Sequence, residues 1–319
     1  MRALRYDRFG PVREVAHWVE VDDPVPGPRQ VRVRVAWASI NPLDWKLVEG
    51  QFRWFAKSRP PCGIGAEFSG VVDALGPAVK EPAVGSRVLG FINPFVQPPG
   101  ALQTHVLLPA DDVFVAPPSL ALDGLATVPV AGMSALQMCR LAEVRAGQRV
   151  LVHGAAGGVG SFAVQVVGAF GATAVATGSA ASQALIATLG SQAQFDYRTQ
   201  PPSAWGGPFD AVLDCATALA PADIVTLLAN GGHYVSTLPR FPWVVLDPLL
   251  NRFRRTRRHA LQLAPTRADL QTLLDWVAED RVQPRITAHF EAAAAVQALA
   301  QSKAGQARGK LVVRLGDAT

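Results

Sequence analysis

One stretch in the middle of the chain decides the fold: Val150-Leu151-Val152-His153-Gly154-Ala155-Ala156-Gly157-Gly158-Val159-Gly160. Its first residues have the pattern of a buried strand, and the glycines that follow break the strand and open a helix. Residues 161–171 continue as an apolar helix and residues 172–177 as a second strand, which completes a βαβ unit. In a nucleotide-binding unit of this kind, Gly157 makes the tight turn, Gly158 leaves room for a pyrophosphate, and Gly160 lets helix and strand pack closely. The free amides at the start of the helix would then bind the phosphate.

The apolar character of this region also has a rival interpretation, a membrane span. Residues 150–195 contain no Asp, Glu, Lys or Arg. However, repeated glycines and Gln165 interrupt the region before about twenty apolar residues accumulate. We therefore interpret it as a parallel strand covered on both faces, with a helix packed against it, and we expect no membrane partner.

The end of the second strand bears on which dinucleotide would bind. Enzymes that prefer NAD usually place Asp or Glu there to hold the ribose hydroxyls. This chain has Thr177-Gly178-Ser179-Ala180-Ala181-Ser182, with hydroxyls and no carboxylate, which favours NADPH, although no Arg or Lys is nearby. The alternative is that Ser179 and Ser182 merely cap the following helix.

Length and composition predict a globular chain of about two domains, with 319 residues of which 49% are hydrophobic and 17% charged. Cys62, Cys139 and Cys215 are far apart and odd in number, which favours neither a disulfide framework nor a multi-cysteine metal site. The first residues enter a strand-like pattern without the apolar segment of a signal peptide, so a cytoplasmic location is the default expectation.

The net charge of +5 traces largely to residues 251–259, which contain five arginines. A nucleic-acid or anionic-membrane patch is one interpretation, but the run is short and lacks zinc ligands or a base-reading motif. We interpret it as a solvated loop beside a cleft or a subunit contact, with attraction of a polyanionic cofactor as a further alternative.

The order of elements predicts an α/β chain with two parts. Residues 1–120 are rich in strand and turn patterns, as in Val31-Arg32-Val33-Arg34-Val35. From Asp123 onward, helix and strand patterns alternate in the rhythm of a doubly wound sheet, with a helix expected over 124–142. The strand pattern over 310–315 indicates a return to the first part.

Several local motifs, taken with this order, resemble the medium-chain dehydrogenase/reductase superfamily, specifically its zinc-independent quinone oxidoreductase branch. They are Ala38-Ser39-Ile40-Asn41-Pro42-Leu43-Asp44-Trp45-Lys46, Gly65-Ala66-Glu67-Phe68-Ser69-Gly70-Val71-Val72, Gly85-Ser86-Arg87-Val88, Ala131-Gly132-Met133-Ser134-Ala135 and the glycine turn. The resemblance covers essentially the whole chain. It implies a GroES-like β-barrel domain (1–121 and 267–319) with the substrate pocket, a Rossmann domain (122–266) with NADPH, a cleft between them and a homodimer.

The chain departs from the zinc-dependent relatives at the metal ligands. Those relatives have Cys where Asn41 stands and His where Ala66 stands, and they carry a four-cysteine lobe that this chain lacks. Zinc needs three or four converging ligands, so the resemblance favours reduction of a quinone or an α,β-unsaturated carbonyl, which needs mainly a positioned hydride and a proton source.

The resemblance also implies the site residues. Asn41 would donate a hydrogen bond to the substrate oxygen, and Lys46 would stabilise the charge that develops there; the alternatives are that Asn41 orders the turn before Pro42 and that Lys46 is a surface lysine. The cofactor residues are Thr127, Ser134, Gly154, Ala155, Ala156, Gly157, Gly158, Val159, Gly160, Gly178, Ser179, Ser182, Tyr197 and Lys303. Gly178 and Ser182 would lie beside the 2′-phosphate, although related enzymes commonly have Lys where Ser182 stands. Tyr197 and Lys303 would also contact NADPH, unless they are a strand-end aromatic and an exposed cation.

Two other functions stay open at this point. The chain could be a non-catalytic NADPH-binding sensor or interaction protein, or an NAD(P)-dependent enzyme similar to alcohol dehydrogenases. Turnover on quinones and enones distinguishes the first of these from a reductase.

Overall fold

The computed structural model describes residues 1–54, 56–96, 100–238 and 243–316. Its strands are β1 (Arg2–Tyr6), β2 (Ala16–Glu20), β3 (Gln30–Ile40), β4 (Cys62–Gly63), β5 (Glu67–Leu75), β6 (Arg87–Phe91), β7 (His105–Pro109), β8 (Val113–Val115), β9 (Arg149–His153), β10 (Thr173–Gly178), β11 (Ala193–Asp196), β12 (Phe209–Asp214), β13 (Leu228–Ser236), β14 (Arg257–Ala260), β15 (Ile286–Glu291) and β16 (Lys310–Arg314). Its α-helices are α1 (Val12–Val15), α2 (Pro42–Val48), α3 (Leu122–Leu125), α4 (Met133–Leu141), α5 (Gly158–Ala169), α6 (Gln183–Thr188), α7 (Pro221–Leu227), α8 (Trp243–Leu250), α9 (Arg267–Ala278) and α10 (Ala295–Lys303).

The chain forms two compact units, one of Met1–Val130 with Ile286–Thr319 and the other of Ala131–Arg285. The division differs from the predicted domain ranges, 1–121 with 267–319 and 122–266. Residues 122–130 fall in the first unit, where Ser69 donates to the carbonyl of Leu122. Residues 267–285 fall in the second, because α9 packs against α4 there.

The first unit is built on a seven-stranded sheet in the order β15-β16-β3-β5-β6-β8, with β7 also paired to β3, and a three-stranded sheet β2-β1-β4. Its core follows from the period of two along β3, in which Val31, Val33 and Val35 are fully buried. Helix α10 adds Ala295, Ala298 and Leu299 to the same core.

The centre of this sheet decides which distant residues meet. Strand β3 pairs antiparallel with β5 on one side and with β16 on the other. In that register Ser39 lies opposite Glu67, and Ile40 lies opposite Leu311. The beginnings of β5 and β16 therefore flank the end of β3, where α2 begins.

The second unit is a six-stranded parallel sheet in the order β11-β10-β9-β12-β13-β14. Its first strand in sequence, β9, lies in the middle, and the order reverses between β9 and β12. This is the usual order of a dinucleotide-binding sheet, whose ligands bind beyond the carboxyl ends of the strands at the reversal. The predicted α/β class with a doubly wound sheet is confirmed.

Two local predictions are wrong. The helix expected over 124–142 is divided into α3 and α4 by a π-helical turn, Val128–Gly132, which contains Pro129, a residue without a backbone N–H. The arginine-rich segment is not a loop throughout, because β14 pairs with β13 from Arg257 to Ala260. An edge strand tolerates charged side chains; here Arg257 is exposed and Arg258 is partly buried.

Within the described ranges, no helix is both long enough and apolar enough to cross a bilayer.

Candidate functional site

The glycine turn after β9 is the first part of the site. The backbone reverses at Gly154, where φ is +78°, and the N–H of Ala155 donates to the carbonyl of Thr177 at 2.9 Å. A Cβ at Gly154 would adopt a strained backbone and lie 3.0 Å from the Cβ of Ala216. Gly157 is extended (φ −77°, ψ 175°), so the tight turn expected there is made by Gly154 instead.

Helix α5 begins directly over this turn. A Cβ at Gly160 would overlap the carbonyl oxygen of Gly154, so glycine is needed for the close approach, as predicted. A Cβ at Gly157 would meet only that same oxygen, at 3.4 Å, which leaves open space in front of the helix. The first amides of α5 have no acceptor within the helix. The N-cap residue, Gly157, has no side chain that could accept from them. Amides without an acceptor among the described residues, open space and the helix dipole together fit a dinucleotide pyrophosphate.

The side of the site that would receive the ribose starts at Gly178, the last residue of β10. Ser182 is only 1% exposed, and its hydroxyl donates to the carbonyl of Ser179 at 2.7 Å. A Cβ at Gly178 would lie only 2.6 Å from the hydroxyl oxygen of Ser182. The Ser182 hydroxyl therefore closes a turn inside the protein. It neither caps α6 nor faces solvent, which argues against its predicted contact with a phosphate.

Strand β11 brings the carboxylate of Asp196 to the end of β10, and Tyr197 and Arg198 follow it. The Asp196 carboxylate accepts from the N–H of Ala180 at 3.1 Å, and the guanidinium of Arg198 lies 5.8 Å from the ring centre of Tyr197. Tyr197 is 43% exposed, and its N–H donates to the carbonyl of Gly178. The expectation that no carboxylate lies near the end of β10 is therefore wrong, because Asp196 pairs with Gly178 there. Asp196 is the last residue of β11 and Arg198 follows it by two residues, so only the sheet order reveals that this segment lies beside β10.

His153 ends β9 beside the same group. Its Nδ1 lies 2.7 Å from the Thr177 hydroxyl, and its ring stacks on Trp205 at 5.5 Å. Burial lowers the pKa of His153, while Asp214 acts in the opposite direction. Burial therefore favours the neutral ring, which ties β9 to β10 and contacts Tyr197 edge-on.

In the first unit, Asn41 is the N-cap residue of α2. Its backbone N–H donates to Asp44 Oδ2 at 2.7 Å. Asp44 is buried, and burial raises its pKa to about 7, against the opposing effects of this hydrogen bond and of Lys310. Its second oxygen, Oδ1, has no hydrogen-bond partner among the described residues, and Asp44 lines a cavity of about 10 Å³ together with Tyr6 and Cys62.

The side chain of Asn41 belongs to a buried polar cluster with Ser39, Glu67 and Lys310. Lys310 donates to Asn41 Oδ1 at 2.6 Å, to Glu67 Oε1 at 2.8 Å and to the carbonyl of Ile40 at 3.2 Å. Glu67 Oε1 also accepts from Asn41 Nδ2 at 2.9 Å and from the Ser39 hydroxyl. Its Oε2 accepts from the N–H of Val130 at 2.7 Å. The two charges are paired and hydrogen-bonded, which is the condition for burying them.

Lys46 and Lys303, predicted for substrate and cofactor, lie on one indole ring. Their ammonium groups are 5.5 and 6.0 Å from the ring centre of Trp45. Lys303 forms an ion pair with Glu49 at 2.6 Å. Lys46 is half-buried, and desolvation lowers its pKa. Within the described part of the chain it has no ion pair.

The remaining predicted contacts belong to different units. Thr127 is buried in the first unit, and its hydroxyl donates to the carbonyl of Gly124 at 2.8 Å. Ser134 lies in α4 of the second unit and is 5% exposed. The glycine turn, Ser179 and Tyr197 gather at one end of the parallel sheet, whereas Asn41, Lys46 and Lys303 belong to the first unit. All of these roles stay predictions.

Sequence reasoning missed four residues: Asp196, Arg198, Glu67 and Lys310. Glu67 stands in a quoted motif and Lys310 begins a predicted strand, but only the pairing of β3 with β5 and β16 places them at Asn41. Among the described residues, no group of three or more His, Cys, Asp and Glu side chains is arranged to hold a metal ion.

Sequence models of two families match the chain. The model of the alcohol dehydrogenase GroES-like domain matches residues 27–118, and that of the zinc-binding dehydrogenases matches residues 189–313. The first match lies within the first unit, and the predicted GroES-like fold is confirmed.

Relatives and solved structures agree with these matches. The chain is 27% identical to the chloroplast envelope quinone oxidoreductase homolog of Arabidopsis thaliana over 98% of both chains. It is 34% identical to a 2-haloacrylate reductase of a Burkholderia species over 63% of this chain and 60% of the relative. Its structure is similar to that of the quinone oxidoreductase from Coxiella burnetii, with a TM-score of 0.89, 29% identity and 99% of both chains covered.

Proposed function

Because the chain belongs to the medium-chain dehydrogenase/reductase superfamily and is a quinone-oxidoreductase-like oxidoreductase, we propose that it transfers a hydride from NADPH to a quinone or an α,β-unsaturated carbonyl without a metal. One observation carries the metal-free part: the ammonium of Lys310 lies 2.6 Å from Asn41 Oδ1, at the position where the zinc-dependent relatives have a cysteine ligand. An amide bonded to a cation does not fit a dication site, and Ala66 offers no ligand.

The fold implies a nicotinamide cofactor, and the second unit has the residues to hold one. The first amides of α5 would bind the pyrophosphate, with the space at Gly157 left for it. Arg198 and Tyr197 are the side chains for a 2′-phosphate, and Asp196 is the group that would favour a free ribose hydroxyl. When bound, the reduced cofactor supplies the hydride.

Lys46 is the residue that would stabilise negative charge on the acceptor's oxygen. A half-buried ammonium without an ion pair among the described residues is partly desolvated already, so its field acts strongly on a nearby developing oxyanion. Asn41 contributes an amide hydrogen bond to the same oxygen. The 2-haloacrylate reductase among the relatives supports an electron-poor double bond as the acceptor, and the quinone oxidoreductases support a quinone.

The first experiment is a titration of the purified protein with NADPH and with NADH, followed by tryptophan fluorescence, and then a turnover screen on quinones and enones. We expect NADPH to bind at least about tenfold tighter, and Lys46→Met to lower turnover while NADPH affinity is unchanged. Binding without turnover on any acceptor would favour a cofactor-binding protein. Oxidation of simple alcohols would favour an alcohol dehydrogenase.

We also propose that the chain forms a homodimer through the edge of the parallel sheet. Strand β14 is an edge strand in the described part of the sheet, and unpaired edges are usually covered. Beside it, Leu249 is 67% exposed and Phe253 is 86% exposed. A second copy would cover these side chains, and Phe253→Asp would then shift the mass measured by light scattering from twice 33.8 kDa to one chain. A wild-type monomer would reject this proposal. The cytoplasmic location stays a prediction.

A further inference from the structure

We propose that Glu67 and Lys310 are positioning residues that fix the side-chain amide of Asn41 in one orientation and leave a single hydrogen of that amide for the acceptor's oxygen. This inference rests on the proposed function, in which Asn41 contacts that oxygen. In that function as stated above, Lys310 serves only as the observation against a metal ion, and Glu67 has no role.

The orientation follows from the chemistry of the two partners. An ammonium only donates and a carboxylate only accepts. Lys310 lies 2.6 Å from Asn41 Oδ1, and Glu67 Oε1 lies 2.9 Å from Asn41 Nδ2. Turning the amide over would place its NH₂ against the ammonium and its oxygen against the carboxylate. Both contacts would be repulsive and buried, so only one orientation is stable.

One hydrogen of the cluster is left once every other donor hydrogen has been matched to its acceptor. The three hydrogens of the Lys310 ammonium are used by Asn41, Glu67 and the carbonyl of Ile40. The Ser39 hydroxyl and one Nδ2 hydrogen of Asn41 are used by Glu67. Of the donors in this cluster, the second Nδ2 hydrogen alone has no acceptor among the described residues.

The backbone of the same residue is fixed separately. Asp44 accepts from the N–H of Asn41, and Asn41 is joined on its two sides to β3 and α2. With both backbone and amide held, the free hydrogen has a defined direction before any acceptor arrives. Preorganised donors are the ones that stabilise a developing oxyanion, because no reorganisation is needed during the reaction.

A double-mutant cycle tests the proposal. Asn41→Ala, Lys310→Met and the double variant are compared with the wild type for kcat/KM on an enone or quinone that the wild type reduces, with exposed Lys80→Met as the control. We expect Lys310→Met to lower kcat/KM about tenfold when Asn41 is present and less than about twofold in the Asn41→Ala background. An equal loss in both backgrounds would mean that Lys310 acts on stability alone and would overturn the proposal.

A second variant covers the case in which Lys310→Met does not fold, because it leaves the Glu67 carboxylate buried without its partner. Glu67→Gln/Lys310→Met contains no unpaired charge there, and it also removes the contact on Asn41 Oδ1. We expect it to give the same dependence on Asn41.

An amide spectrum separates failure of this proposal from failure of the proposed function. In protein labelled with ¹⁵N-asparagine, the Asn41 side chain is the resonance pair that disappears in Asn41→Ala. We expect its two hydrogens to be well separated in the wild type, because one donates to a carboxylate, and to converge when Lys310 is replaced. An unchanged pair would overturn the positioning role even in a chain that reduces no acceptor, while a wild type that is inactive but shows the shift would reject only the proposed function.

Discussion

The two units hold their candidate sites by opposite means. In the second unit the start of α5 offers backbone amides beside glycines, with no charged side chain in the turn from Gly154 to Gly160. In the first unit the end of β3 is surrounded by buried side chains, among them the Lys310 ammonium and the Glu67 carboxylate. A site made of backbone depends on where a Cβ fits, whereas a site made of buried charges depends on every partner being present.

The two units differ most at the buried ion pair of Lys310 and Glu67 in the first unit. Lys310→Met leaves the Glu67 carboxylate buried beside only neutral donors, so we expect the free energy of unfolding to fall by about 3–5 kcal/mol. Urea unfolding followed by circular dichroism measures the loss. Lys303→Met is the matched control, because its ion pair with Glu49 is partly exposed and should cost no more than about 1 kcal/mol. Equal losses of unfolding free energy in the two variants would show that burial does not raise the cost of breaking an ion pair in this unit.

Asp44 makes the same unit sensitive to pH. Burial raises the pKa of Asp44 to about 7 from its ordinary value of 3.8, so the folded chain holds this proton more tightly than the unfolded chain does. The contribution of Asp44 to stability is therefore fully present below about pH 4 and is lost as the pH rises through about 7, at a cost of up to about 4 kcal/mol.

The Asp44→Asn variant isolates this effect, because its side-chain oxygen can still accept from the N–H of Asn41. We expect the wild type and the variant to differ little at about pH 3.5, and the variant to be the more stable at about pH 8. A difference between the two unfolding free energies that does not change with pH would show that Asp44 keeps an ordinary pKa.

Two glycines of α5 differ in the space around them. A Cβ at Gly160 would overlap the carbonyl of Gly154, so we expect Gly160→Ala to lower stability by about 1–3 kcal/mol and to weaken NADPH binding. Gly168→Ala, in the same helix, meets nothing within 4 Å and should raise stability by up to about 1 kcal/mol. Thermal unfolding with and without NADPH measures both. If both variants behaved alike, the close approach at Gly160 would not be what requires glycine.

The smallest expected effect concerns Arg198, the charged residue that follows β11 in the second unit. We expect Arg198→Ala to weaken NADPH binding about tenfold, or about 1.4 kcal/mol, and to leave NADH binding unchanged. Arg198→Lys retains the charge and should lose less. Fluorescence titration at two salt concentrations checks both, since a surface charge acts less at high salt. An equal effect on the two cofactors would place Arg198 away from the 2′-phosphate.

Sequence reasoning succeeded where the structure is local. The glycine turn, α5 and β10 are consecutive, so their pattern alone predicts the βαβ unit and the close approach at Gly160. It assigned the tight turn to Gly157 rather than Gly154, because the spacing of glycines does not reveal which of them has a positive φ.

It failed where the structure is non-local. Asp196 and Arg198 reach the end of β10 only through the order of strands in the sheet. Lys310 reaches Asn41 across 269 positions of sequence, through the pairing of β16 with β3. No periodicity or local motif carries that information, because strand register is set by the assembled sheet.

The pairing of β16 with β3 also has a consequence for synthesis on the ribosome. The second unit is encoded between the two segments of the first, so it emerges as a continuous block before β15 and β16 do. Until Lys310 has been translated, the nascent first unit holds the Glu67 carboxylate without its counter-ion, and β3 lacks its β16 partner from Trp37 to Ile40. The N-terminal segment of the first unit therefore cannot complete its sheet until the C-terminal segment has been synthesised. The parallel sheet of the second unit is free to fold before then.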